Sequence, residues 1–163
     1  MKTPLTASSE TECSQQALIF QDLGPRKVVA DFSGGTLSSD GGVLLLRQVD
    51  HNLGLTLELA RCFSDLRDPG FVDHSVQQLL SQRIYGVALG YEDLNDHDRL
   101  RLDPLLATAC DKEDPLGQDR FNPADRGIAL AGSSTLNRLE LSNNKRSRCH
   151  SCRMIPRRFN PAC

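Results

Sequence analysis

Carboxylates crowd one short stretch of this sequence: Glu92, Asp93, Asp96, Asp98 and Asp103 stand close together, with His97 among them. Oxygen and imidazole ligands of this kind can hold a divalent cation for metal-assisted hydrolysis. Their spacing points elsewhere. A calcium loop needs glycine at its sixth position and a bidentate glutamate at its last, and here the glycine is missing and Pro104 occupies the glutamate's place. Helix starts are where side-chain oxygens accept from free backbone amides, which is enough to explain these carboxylates. The patch therefore reads as helix caps on a solvated turn.

Other constellations give less chemistry still. Ser33-Gly34-Gly35 and Ser39-Asp40-Gly41-Gly42 are glycine-rich, but they carry neither a P-loop lysine nor a dinucleotide-fingerprint spacing, so they read as backbone turns. His51 and His74 stand near helix ends without a nucleophile in a recognisable motif, which assigns them ordinary polar roles. Cys149-His150-Ser151-Cys152 has the spacing of half a zinc knuckle, yet a structural site needs four ligands and only Cys163 lies beyond it. The six scattered cysteines read as free thiols in a reducing compartment. No secretory leader and no run of 18 apolar residues is present, so a cytoplasmic location without membrane contact is expected.

Charge divides the chain more informatively than its total of −2. The last 23 residues hold Lys145, Arg146, Arg148, Arg153, Arg157 and Arg158 and no acid, a net +6, which leaves −8 on the first 140 residues. A basic tail suits phosphate backbones through counterion release, whereas an acidic body argues against a nucleic-acid surface spread over the whole domain.

The elements follow from periodicity and punctuation. With 39% hydrophobic and 25% charged residues, 163 residues suffice for one domain with an aliphatic core. Residues 1–26 read as a flexible leader. Val28 to Phe32 predicts a strand, Ser33-Gly34-Gly35 a tight turn, and Thr36-Leu37-Ser38 the returning strand of a hairpin. Ser39 or Asp40 is expected to cap a helix carrying Val43, Leu44, Leu45, Leu46, Val49 and Leu53, which Gly54 ends; Thr56 is expected to cap a second through Leu59 and Phe63. Asp68-Pro69-Gly70 predicts a turn. Val72, Val76, Leu79, Leu80, Ile84, Val87 and Tyr91 share one face of a central helix. Further short helices are predicted from Asn95 or Asp96, from Asp103-Pro104, and from Ser134 or Thr135 through Leu141, with a loop over 111–127. The fold is thus mainly α with a small amino-terminal β-hairpin, organised as a leader (1–26), a helical region (27–142) and a basic tail without regular structure (143–163).

Several blocks in this order are similar to the start of transposases of the thirteen-eighty insertion-sequence family, also described as transposase DDE domain group 1. They are Phe32-Ser33-Gly34-Gly35-Thr36-Leu37-Ser38-Ser39-Asp40-Gly41-Gly42, the run from Gly90 to Asp98 with Leu100-Arg101 and Asp103-Pro104 behind it, Asp125-Arg126-Gly127, Leu130-Ala131-Gly132, and Ser134 to Glu140. The resemblance covers about residues 28 to 150. It implies an enzyme of DNA transposition that binds terminal inverted repeats and transfers strands with magnesium held by three carboxylates on an RNase H-like core. The family's first catalytic aspartate lies beyond the block ending at Glu140, and no Asp or Glu follows Glu140 here. The resemblance therefore implies a chain truncated before the catalytic core, without catalytic residues, metal ligands or cofactor of its own. At most it binds transposon-end DNA or an intact transposase. Arg138, Lys145, Arg146 and Arg148, around the last helix, are the candidate DNA contacts. The alternative is a non-catalytic dimerisation module, self-associating or pairing with the catalytic domain through the apolar face of Val76, Leu80, Ile84 and Val87.

Overall fold

A computed structural model describes residues 17–31, 38–120 and 122–141, together with the backbone of Met154–Pro156. The chain is mainly helical, with a two-stranded antiparallel hairpin at its amino-terminal end. That hairpin lies earlier than the sequence predicts. Strand β1 (Leu18–Leu23) pairs with β2 (Arg26–Ala30), with Ile19 opposite Val29 and Phe20 opposite Val28. The reversal falls at Gly24-Pro25, where Gly24 takes φ +56°, a backbone geometry that suits a two-residue connection between strands. Residues 18–26, read from sequence as the end of a loose leader, are therefore structured. The predicted turn at 33–35, and Thr36 and Leu37 of the predicted return strand, lie outside the described residues.

Helix α1 (Val43–Leu53) ends as predicted at Gly54, which adopts φ +70°. Its start differs. No side chain caps it; the Asp40 carbonyl accepts from the Val43 amide, while the Asp40 carboxylate accepts from the Tyr91 hydroxyl. Its buried face also differs from the predicted apolar set, because Val43, Leu44, Arg47 and Asp50 point inward whereas Leu45, Val49 and Leu53 are exposed. Helix α2 (Leu55–Arg61) begins before Thr56, so Thr56 is no cap. Its amide and hydroxyl instead donate to the buried Asp50 carboxylate, at 2.8 and 2.5 Å.

Helix α3 (Val76–Ala88) is the central element. Ser75 and Gln78 form a reciprocal capping box at its start, each side chain accepting from the other residue's amide. Val72 precedes this helix and Tyr91 follows it, so both predicted members stand outside it. Tyr85 joins a core cluster with Phe20, Val43, Leu44, Leu106 and Leu130, and Val76, Leu79 and Leu80 join a second with Leu136 and Leu139. The short helices α4 (His97–Leu100), α5 (Pro104–Ala109) and α6 (Ser133–Glu140) close the two clusters. Strand β3 (Phe63–Asp65) pairs with β4 (Met154–Pro156), so three residues of the tail predicted to lack regular structure are a strand; the rest of 143–163 lies outside the described residues.

One close approach explains a glycine inside α3. A Cβ on Gly86 would lie 2.8 Å from Cε1 of His97, a side chain that is fully buried. The ring is held from the other side, where Gln82 Nε2 donates to its Nδ1 at 3.1 Å and to the Ala131 carbonyl at 2.8 Å. Alanine would raise helix propensity by about 1 kcal/mol, but the ring has nowhere to retreat. Gly86→Ala is expected to lower stability by about 1–3 kcal/mol in urea unfolding. Adding His97→Ala to that variant should remove most of the effect of the added methyl; an unchanged penalty would mean the clash is not with the ring.

Candidate nucleic-acid interface

Two carboxylates of the acidic patch predicted to cap helices are used in that way. Asp93 accepts from the Asn95 amide at 2.9 Å and Asp103 from the Leu105 amide at 2.8 Å, each at the start of a helical turn. Asp98 serves a different helix, accepting from the amide and hydroxyl of Ser133 at 3.0 and 2.9 Å. These bonds hold the carboxyls of Asp93 and Asp98 below the usual range. Among the described residues no group of three or more His, Cys, Asp or Glu is placed to hold a metal ion. Spread over separate helix starts, these carboxylates do not fit a two-metal centre.

The histidines are structural groups of unequal kind. His51 lies between Gln21 Oε1, 2.5 Å from Nδ1, and Asp111 Oδ2, 2.6 Å from Nε2. His74 is buried beside Arg120, and its Nδ1 has no partner among the described residues. Burial first, and then the neighbouring Lys112, Arg120 and Arg67, push its pKa down to about 3. Of the cysteines, Cys62 is exposed and Cys110 buried, both as free thiols. The Cys149–Cys152 motif and Cys163 lie outside the described residues.

A cleft of about 390 Å³ opens between the 72–78 segment and the 111–120 loop. Asp73, Glu113, Asp114 and Asp119 line it against Lys112 and Arg120. Both cations already have partners, since Lys112 donates to the Asp73 carbonyl at 2.6 Å and Arg120 pairs with the Asp73 carboxylate at 3.2 Å. Uncompensated carboxylates then dominate the walls, and they repel phosphate.

Arg47, Arg67, Arg83 and Arg120 are consumed in pairs with Asp111, Asp65, Glu140 and Asp73. Arg138 is exposed on α6, whose other side buries Leu136 and Leu139. Of the predicted DNA contacts it is the one within the described residues; Lys145, Arg146 and Arg148 lie outside them. Glu140, the acid of α6, is paired with Arg83 at 2.6 Å, which leaves the Arg138 charge uncancelled within its helix.

The family model for transposase DDE domain group 1 matches residues 20–157. The chain belongs to this transposase family. Its function is accordingly related to transposition, a process worked on DNA. No curated protein and no solved structure matches the chain. Among the described residues of this transposase chain, no helix is long and apolar enough to cross a membrane.

Sequence reasoning missed the most elaborate polar network, at the junction of β1, α1 and the 111 loop. Arg47, 1% exposed, donates from Nε to Asp111 at 2.8 Å and from its two Nη atoms to the carbonyls of Gln21 and Asp22 at 2.5 and 3.0 Å. Asp111 takes φ +55°, an uncommon conformation for a residue with a side chain. A signal was present: positions 43, 44, 47 and 50 form one helical stripe, and a cation and an anion interrupt it where apolar residues would otherwise face the core. The face proposed for dimerisation is also corrected. Val76 and Leu80 are buried in the chain's own core and Ile84 packs against it, leaving only Val87 exposed.

Proposed function

We propose that this chain is the end-recognition region of a DDE transposase of the thirteen-eighty insertion-sequence family, one whose described residues bring no three carboxylates together for a metal ion. It binds duplex DNA at terminal inverted repeats, and strand transfer is not assigned to its described residues. The observation that carries this reading is the family match over 20–157, joined to a charge division of −8 before residue 141 and +6 after it. Arg138, Lys145, Arg146 and Arg148 are the proposed DNA contacts, and magnesium belongs to the family's catalytic core rather than to these residues. The anionic body keeps non-specific contact confined to the basic end.

A second reading rests on the exposed row Leu45, Val49 and Leu53 of α1, which is one apolar face of a helix without a partner among the described residues. It is self-association through α1, or pairing with an intact transposase. Sizing chromatography at two salt concentrations, with and without inverted-repeat duplex, separates the readings. DNA binding through about four phosphates should weaken on the order of 100-fold between 50 and 200 mM salt. Affinity indifferent to salt would sink the phosphate-dominated mode, and concentration-dependent dimers indifferent to DNA would favour the second reading. Magnesium-dependent nicking of that duplex, abolished by changing one of the chain's own carboxylates, would overturn the non-catalytic assignment.

A further inference from the structure

Helix α6 exposes Ser134, Asn137, Arg138 and Glu140, with exposed Leu141 just past its end, while Leu136 and Leu139 are buried on its other side. At 100° per residue Ser134, Asn137, Arg138 and Leu141 fall within an arc of about 100°, so these four form one continuous face. The face spans about 10 Å of helix axis, at 1.5 Å per residue. Glu140 lies off that arc and is already paired with Arg83, so the face holds one cation, one carboxamide, one hydroxyl and one aliphatic side chain, and no anion. The sequence that follows it carries six cations and no acid.

Those side chains match base edges better than they match protein or lipid. Arginine donates two parallel bonds to guanine, asparagine exchanges two with adenine, and an aliphatic group suits the thymine methyl. A helix fits the major groove, which is about 12 Å wide. The other two surfaces compete poorly. The acidic cleft repels phosphate, and the α1 row Leu45, Val49 and Leu53 presents no donor.

We propose that α6 lies in the major groove of duplex DNA, with Asn137 and Arg138 directed at base edges and Ser134 and Leu141 flanking them. This rests on the DNA-binding reading above and adds to it the element that reads sequence. Fluorescence anisotropy on the full 163-residue chain tests it, with two labelled duplexes as probes: the DNA flanking this coding sequence, where terminal repeats of an element lie, and a scrambled duplex of equal length. Asn137→Ala and Arg138→Ala should each reduce the preference for the first duplex by about 5- to 150-fold. Arg138→Lys keeps the charge without the two-pronged donor, so it should hold scrambled-duplex affinity while losing preference. Lys145→Ala should weaken both duplexes alike and reduce the salt slope by about one.

Wild-type preference in all three α6 variants, with the parent chain binding DNA, would overturn the α6 assignment and leave the DNA-binding reading standing. Equal weakening on both duplexes by Arg138→Ala would make Arg138 a phosphate contact and likewise overturn base reading. A parent chain that binds neither duplex at 50 mM salt would overturn both.

Discussion

Arg47→Met is expected to destabilise the fold by about 3–5 kcal/mol, because it leaves two carbonyl acceptors without their buried donor and takes the guanidinium from Asp111, which keeps only His51. Methionine restores most of the volume, so the loss is polar rather than a cavity. Asp111 then loses the guanidinium that faces it, and the carbonyls of Gln21 and Asp22 lose the donors now 2.5 and 3.0 Å away. For a domain of this size the midpoint of thermal unfolding should fall by about 6–20 °C, at roughly 2–4 °C per kcal/mol. Arg47→Lys should not rescue it, since one ammonium on a flexible stem cannot serve the directions that the guanidinium serves at once. Removing both charges, in Arg47→Met with Asp111→Asn, should cost less than the sum of the two single changes. Circular dichroism during heating and urea titration measures all of these. A loss below 1 kcal/mol for Arg47→Met would mean that the network contributes nothing to holding the hairpin on α1.

Acid should act on His74 before it acts on the carboxylates. In the folded chain its pKa is pushed down to about 3, chiefly by burial and then by Lys112, Arg120 and Arg67, whereas the unfolded chain has the ordinary value near 6.5. The unfolded state therefore binds the extra proton as pH falls below about 6.5, and stability falls with it, by up to about 1.4 kcal/mol per pH unit. At pH 5 the loss from this one group is about 2 kcal/mol. His97, whose pKa burial also lowers, adds in the same direction. Asp65 and Asp98, held below the usual carboxylate range by Arg67 and by Ser133, contribute their own loss only when pH drops through about 4. Urea unfolding at pH 7.5, 6 and 5 should thus show a slope before any carboxylate titrates. His74→Gln should flatten that slope, and a stability unchanged between pH 7.5 and 5 in the parent chain would refute the buried neutral histidine.

Both predictions concern residues whose burial the sequence did not reveal, and the reason is physical. Arg47 and Asp50 sit in a helix whose apolar neighbours Leu45, Val49 and Leu53 look like better candidates for the core. Periodicity ranks faces by hydrophobicity, and here the inward face is decided by partners 25 to 64 residues away in sequence, with Gln21, Asp22 and Asp111 supplying the acceptors. His74 gives no local sign of burial either, because Arg120 reaches it from 46 residues away.

Local chemistry was legible wherever one residue served its own segment. Asp103-Pro104 starts α5, Gly54 ends α1, Asp68 opens the turn at Pro69, and Asp93 caps the turn that follows it. The mainly helical class with one amino-terminal hairpin also followed from period and punctuation, as did the transposase family from blocks in order. Tertiary structure alone decided which strand pairs with β2, which face of α1 turns inward, that Asp98 closes the start of α6, and that the exposed arc of that helix carries Asn137 and Arg138. Capping and turn preferences act within a few bonds and so are written in neighbouring residues. Burial and ion pairing are settled between distant segments, and no single window of the chain contains both partners.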